Sequence, residues 1–224
     1  MIKILSKNIE TPELFLMLDK EKPFFVDDER WEKMQSYKSE KDKLRSLASA
    51  FLLNKMCEEL GIDNPHYEYG EKGKPYLVGW ENIAFNLSHS GEYAVLAYEV
   101  NDDSSSTTWQ QGKEEIGIDI QQIRSMKEGI KNRVLSEKER IPIFFLAEEE
   151  VIYLNRIWCV KESYVKMLGV GLALDFRKIT VDFAGSRVMA EGYETAYFSE
   201  ENHLPGYVMS VCCKKNVQVR REEY

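Results

Sequence analysis

From Lys43 to Gly61 the chain reads KLRSLASAFLLNKMCEELG, with Leu44, Leu47, Ala48, Phe51 and Leu52 at the spacing of one helix face. This predicts a helix over 43–61, stopped by Gly61, which suits the left-handed position just past a helix end. A second helix is predicted over 151–169, VIYLNRIWCVKESYVKMLG, ending at Gly169. Between them the pattern alternates. NIAFNLSHS and, past Gly91, EYAVLAYEV predict two strands joined by a tight turn, and Ile116, Ile118 and Ile120 mark a third. KITVDFAG, ETAYFS and PGYVMSVCCKK are further strand-like pieces, and the charged stretch LSEKERIPIFFLAEEE leads into the second helix. Gly70, Gly73, Pro75 and Gly79 punctuate a turn-rich segment over 69–82, and 101–115, NDDSSSTTWQQGKEE, reads as an exposed connection.

The pattern echoes itself. Both long helices end in Leu-Gly, at Leu60-Gly61 and Leu168-Gly169, and each half closes on a Gly-then-Tyr strand, GEYAVLAYEV and PGYVMSVCCKK. A duplicated α+β unit with a period of about 110 residues accounts for this. At 224 residues the chain holds one large domain or two small ones.

Composition narrows the partners. The formal net charge of −8 argues against a general binder of nucleic acid or membrane surface, so a polyanionic ligand must meet a local basic patch. The N-terminus has no basic segment leading into an apolar one, and no apolar run approaches the roughly 20 residues of a membrane span, so a cytoplasmic protein is expected. Cys57, Cys159, Cys212 and Cys213 lack paired spacing and read as reduced core thiols, with Cys212 and Cys213 on opposite faces of a strand.

Five places carry candidate chemistry, each with a plainer alternative. Asp119 interrupts an isoleucine ribbon; it is an edge-strand carboxylate facing water, one accepting backbone hydrogen bonds in a turn, or one of a pair sharing a cation with Glu162. Glu162, one helical turn from Trp158 and Lys166, is either half of a solvated Glu–Lys pair or a metal ligand beside phosphate-contacting lysines. Ser88 and His89 diverge on a strand and cannot be a nucleophile and its base, and no G-x-S-x-G surrounds them; they suit a strand-end cap or a phosphate contact. GEKGKPYL, with Lys72 and Lys74, is a turn or a loop cradling a phosphate, and Lys33 and Arg45 add further positive charge in the first half. Ser136-Glu137-Lys138-Glu139 is a capping box by pattern, so Glu139 is either a helix cap or a general base, with Pro142 limiting the helix that follows.

Taken together, GKPYL, FNLSHSGEYAVLAY, GIDIQQI and WCVKESYVKMLGVGL resemble, in order and spacing over 73–172, the Sfp-type 4′-phosphopantetheinyl transferases, W-x-x-K-E-S-x-x-K being the strongest part. The resemblance implies an α+β pseudodimer of two similar halves, 1–110 and 111–224. Each would pack a small antiparallel sheet on a long helix, with the active site between them and Mg²⁺ as cofactor. It implies transfer of the phosphopantetheine arm of coenzyme A to a serine of an apo acyl or peptidyl carrier protein, with release of 3′,5′-ADP, by a monomer. Matched residue by residue, Asp119 and Glu162 fall on the family's metal ligands and Lys161 and Lys166 on its phosphate-contacting lysines. Ser88, His89, Lys74 and Arg45 fall on its coenzyme A contacts, with Lys33 and Arg30 as helpers. Glu139 falls where a serine-deprotonating glutamate often stands. Many members carry a carboxylate where this chain has Gln121, whose amide oxygen, or a water, would then complete the metal shell; some eukaryotic-like members also lack that carboxylate. Two other classes stand beside this one: a non-catalytic coenzyme A or carrier-protein binding module of the same fold, and a metal-dependent phosphodiesterase or nuclease built on the same Asp/Glu pair.

Overall fold

The computed structural model describes residues 1–20, 22–70, 74–101, 116–140, 149–215 and 217–224. The connection expected over 101–115 lies, but for Asn101, outside these residues, as do Lys72, Gly73 and Pro142. In chain order the first half contains β1 (Ile2–Asn8), α1 (Pro12–Asp19), α2 (Asp28–Gln35), α3 (Glu40–Leu60), β2 (Tyr67–Tyr69), β3 (Pro75–Leu77), β4 (Ile83–Ser90) and β5 (Tyr93–Val100). The second contains β6 (Ile116–Gln122), α4 (Glu128–Val134), α5 (Glu150–Leu168), β7 (Ile179–Asp182), β8 (Arg187–Ala190), β9 (Ala196–Glu201), β10 (Tyr207–Cys213) and β11 (Val219–Glu223).

Both long helices stand where the periodicity places them. α3 ends at Gly61 (φ +66°) and α5 at Gly169 (φ +67°), the left-handed conformation that costs a side-chain-bearing residue most. The apolar stripe of α3 (Leu44, Leu47, Leu52) packs with Leu5, Phe85 and Leu96 of the first sheet, and Ile157, Val160 and Tyr164 of α5 pack with Ile179, Phe198 and Cys212 of the second. A third cluster lies between the sheets, where Ile2, Ile4, Val95 and Ala97 meet Ile116, Ile118, Ile120, Met209 and Val211. Cys212 belongs to the helix-side cluster and Cys213 to the one between sheets, as strand alternation requires.

The fold is thus α+β, with two helix-backed sheets, ordered β11-β1-β5-β4 and β6-β10-β9-β8-β7. One strand crosses over. β11, from the end of the chain, pairs parallel with β1, so the first sheet is not purely antiparallel and its last strand comes from the far end of the sequence. Its charged sequence, VRREE, carries no apolar alternation to announce it.

Besides the β1–β11 ladder, the two halves join through side chains. β6 is an edge strand, and its outward N–H groups point at β4. Ile118 N–H donates to Asn86 Oδ1 (2.9 Å), Ile120 N–H to Ser88 Oγ (3.5 Å) and Gln122 N–H to Ser90 Oγ (3.0 Å). Polar residues at alternate positions of β4 therefore satisfy alternate donors of β6, which would otherwise be buried unpaired. On its other face β6 is pressed against α5, where a Cβ on Gly117 would stand 2.0 Å from the Ser163 carbonyl oxygen and 2.5 Å from Met167 N. These are backbone atoms that cannot step aside. Gly117→Ala is expected to destabilise the protein by about 3 kcal/mol, read as a lower denaturant midpoint; a midpoint unchanged from wild type would mean that α5 lies farther away.

Candidate active site

Between the halves lies a cleft of about 830 Å³ whose walls come from α2, α3, β4, β6 and α5. Asp119 and Gln121 reach it because Gly117, Asp119 and Gln121 share the α5 side of β6 while the three isoleucines face the other sheet. Trp158, Glu162 and Lys166 reach it because positions four apart share a helix face. Ser88 and His89 come from β4, and Arg30 and Lys33 from α2. α2 is started by Asp27, whose carboxylate accepts the Arg30 N–H (2.7 Å).

At the floor, Asp119 is 6% exposed although it is ionisable. Its Oδ1 accepts from Lys166 Nζ (2.7 Å) and from Ser88 Oγ (2.8 Å), and Lys166 also donates to the Ile118 carbonyl (3.1 Å). Lys166 Nζ lies 2.8 Å from Ser88 Oγ, closing a triangle of Lys166, Ser88 and Asp119 that draws on both halves. The other oxygen, Oδ2, is buried and has no partner among the described residues. Beside it, Glu162 is pushed up to about 7 by burial and then by the Asp119 charge, against which Lys166 only partly works. His89, exposed at the rim, is held below the usual histidine range by partial desolvation and by the positive charges of Lys166 and Arg45.

An orphaned carboxylate oxygen next to a second carboxylate that resists ionisation is the donor chemistry of a hard divalent cation, so the residues fit Mg²⁺. Among the described residues no group of three His, Cys, Asp or Glu could hold a metal, so the protein's anionic donors here are two. Gln121 lines the same cleft, its Nε2 donating to the Gln122 carbonyl (3.2 Å).

Four of the residues singled out by sequence stand elsewhere. Lys161 is fully buried (0% exposed), its ammonium donating to Glu139 Oε2 (2.6 Å) and to the carbonyls of Val134 (2.8 Å) and Phe176 (2.9 Å). Glu139 also accepts the Ser136 N–H (2.9 Å) and the Val181 N–H (3.3 Å), the glutamate half of the capping box, while the Ser136 hydroxyl finds no partner among the described residues. Neither residue lines the cleft. Lys74 donates to the carbonyls of Lys166 (2.6 Å) and Ile116 (3.3 Å), joining the end of α5 to the start of β6; burial and the Lys166 charge hold it well below the usual lysine range. Arg45 sends Nε to the Gly91 carbonyl (2.9 Å) and Nη1 to Asp42 (2.6 Å). The physical reason in each case is a nearer partner, a charged group being held where groups of opposite polarity already surround it.

The cleft also contains Glu29, Tyr37, Asp42 and Tyr69, which the sequence reading passed over. Tyr37 and Tyr69 carry no motif, since an aromatic beside a turn looks the same whether it faces solvent or a ligand.

Two family models match this chain. One, described as the 4′-phosphopantetheinyl transferase superfamily, matches 115–212, and another, for the N-terminal part of 4′-phosphopantetheinyl transferases, matches 21–101. The chain belongs to the 4′-phosphopantetheinyl transferases. The pair of matches falls on the two halves that the cleft divides, and together they take in well over half of the sequence. Among relatives of this transferase, the protein named 4′-phosphopantetheinyl transferase ffp of Bacillus subtilis is 27% identical over 199 residues, covering 85% of this chain and 83% of that protein. The 4′-phosphopantetheinyl transferase Sfp of Bacillus subtilis strain 168 is 26% identical over 196 residues, covering 84% and 82%. A mouse L-aminoadipate-semialdehyde dehydrogenase-phosphopantetheinyl transferase is 28% identical over 174 residues, covering 70% of this transferase and 52% of that protein. No described helix of the transferase is long and apolar enough to cross a membrane.

Proposed function

We propose that this transferase moves the 4′-phosphopantetheine arm of coenzyme A to a serine of an apo acyl or peptidyl carrier protein, releasing 3′,5′-ADP. It would do so as a Mg²⁺-dependent cytoplasmic monomer whose halves are 1–110 and 111–224. The observation that carries the site assignment is the meeting of Asp119, Glu162 and Lys166 from the second half with Ser88, His89 and Lys33 from the first around one cleft.

Asp119 and Glu162 would hold Mg²⁺, which when bound supplies stabilisation of charge on the pyrophosphate oxygens. Lys166, whose three N–H groups are spent on Asp119, Ser88 and the Ile118 carbonyl, would exchange one of these acceptors for a phosphoryl oxygen while its ion pair with Asp119 keeps it in place. Ser88 orients both partners of that ion pair. Arg30 and Lys33 form the positive rim that would receive the nucleotide phosphates, His89 would add an imidazole N–H, and Arg45 holds the turn that follows His89. Lys161, Glu139 and Lys74 would act at a distance, by holding α5 and β6 in place.

The direct test is mass spectrometry of an apo carrier protein incubated with the transferase, coenzyme A and Mg²⁺. A gain of one phosphopantetheine with equimolar 3′,5′-ADP is expected. Coenzyme A binding with no 3′,5′-ADP would instead identify a non-catalytic binding module. Gln121→Glu adds a third carboxylate on the metal face and is expected to lower the Mg²⁺ concentration for half-maximal rate roughly tenfold. An unchanged Mg²⁺ dependence would place Gln121 outside the metal shell.

A further inference from the structure

The turn that follows His89 is held from the other half of the molecule. Ser90 pairs with Tyr93 across the β4–β5 hairpin, leaving Gly91 and Glu92 as a two-residue loop, and Gly91 adopts φ +55°. Glycine in a left-handed conformation at the first loop position is the signature of a type II′ turn. Three backbone groups of this loop are tied down. Arg45 Nε–H donates to the Gly91 carbonyl (2.9 Å), the Ile9 N–H donates to the Glu92 carbonyl (2.8 Å), and the Glu92 N–H donates to the Tyr207 hydroxyl oxygen (2.9 Å). Of these partners only Tyr207 belongs to the second half. Its ring meets Tyr93 edge-on, with centroids 5.1 Å apart. The fit is tight, because a Cβ on Gly91 would stand 2.3 Å from the Tyr207 hydroxyl oxygen and 2.9 Å from Gln122 Oε1. Next to it, the Ser90–Gln122 hydrogen bond fixes the same end of β4 on β6.

Tyr207 is buried and does not itself line the cleft, whereas His89, two residues before the loop, does. We infer that Tyr207 is a positioning residue for coenzyme A binding: from the second half its hydroxyl holds the Gly91–Glu92 turn and thereby sets where His89 meets a substrate phosphate. The inference rests on the reading above that His89 contacts coenzyme A. A hydroxyl acting through one backbone amide matters because a small shift of a donor at the rim weakens a charge-assisted hydrogen bond steeply, while Asp119 and Lys166 at the floor are held by other contacts.

The test uses the full chain, with coenzyme A varied at saturating Mg²⁺ and apo carrier protein, for wild type, Tyr207→Phe, His89→Ala and the double variant, each assayed below its own unfolding temperature. Tyr207→Phe removes one oxygen and keeps the ring on Tyr93. It is expected to raise KM for coenzyme A about 5- to 10-fold with kcat within about twofold, and to speed hydrogen exchange at the Glu92 amide. In the His89→Ala background it should raise KM no further. A Tyr207→Phe KM equal to wild type, or one raised by the same factor with and without His89, overturns the inference. If His89→Ala leaves KM unchanged, the assignment of His89 is lost and this inference with it, even where Glu92 exchange shows that Tyr207 holds the turn.

Discussion

Asp119→Asn and Glu162→Gln are each expected to lower the rate of phosphopantetheine transfer about 10³-fold at saturating coenzyme A, equivalent to about 4 kcal/mol of barrier. Both changes keep shape and remove charge. Asp119→Asn leaves an oxygen for Lys166 and Ser88 but deprives a cation of one of its two anionic donors, and Glu162→Gln removes the other. The measurement is carrier-protein modification by mass spectrometry across a Mg²⁺ titration. Rates within a few-fold of wild type for both variants would sink the metal assignment and leave transfer itself standing. Glu162→Gln has a second signature. The carboxyl titrates near 7 in the folded protein against an ordinary value of 4.5, so between those pH values the native state holds a proton that the unfolded chain has released. Stability contributed by this group is complete below about 4.5 and is lost as pH rises through about 7. Metal-free wild type should therefore lose stability across that window, and Glu162→Gln should flatten the profile. A wild-type profile without that slope would mean that Glu162 is better solvated than the cleft geometry implies.

Lys161→Met is the second large effect, and it is expected to fall on stability. The Lys161 ammonium is the shared donor for the end of α4, the Glu139 carboxylate and the turn at Phe176, and burial holds its pKa below the usual lysine range despite Glu139. Removing it strands a buried carboxylate and two carbonyls, which costs about 3–5 kcal/mol. The checks are the urea midpoint and the transfer rate per folded molecule. The structural assignment holds if the midpoint drops sharply and the folded fraction transfers at close to the wild-type rate. An unchanged midpoint with transfer abolished would return Lys161 to the chemistry. Glu139→Gln keeps the capping shape and should destabilise less, without loss of transfer by folded molecules.

The helix containing Lys161 divides what the sequence can say from what it cannot. Lys161 and Lys166 sit in one motif and look equivalent there, yet five positions along a helix turn through about 140° beyond a full circle, so they cannot share a face. Lys166 follows Glu162 by one turn and goes with it to the cleft; Lys161 points to the core. That much geometry was available in advance. Which face would meet the cleft was not, because the helix is apolar on most of its circumference and both lysines interrupt it.

By itself the sequence determined the elements whose causes are local. These are the two long helices with their glycine stops, the β4–β5 hairpin around Gly91, and the anomaly of a carboxylate in the isoleucine ribbon at Asp119, together with the family that these motifs spell. Short or charged elements such as β11 and α2 left no such pattern. Tertiary structure alone decided that Asn86, Ser88 and Ser90 would satisfy the edge of β6, that Arg45 and Tyr207 would grip one turn from opposite halves, and that Lys74 and Lys161 would be drawn to carbonyls rather than to the cleft. The physical reason is that polar side chains go where buried donors and acceptors remain unpaired, and those vacancies arise only once strands and helices distant in sequence have packed together.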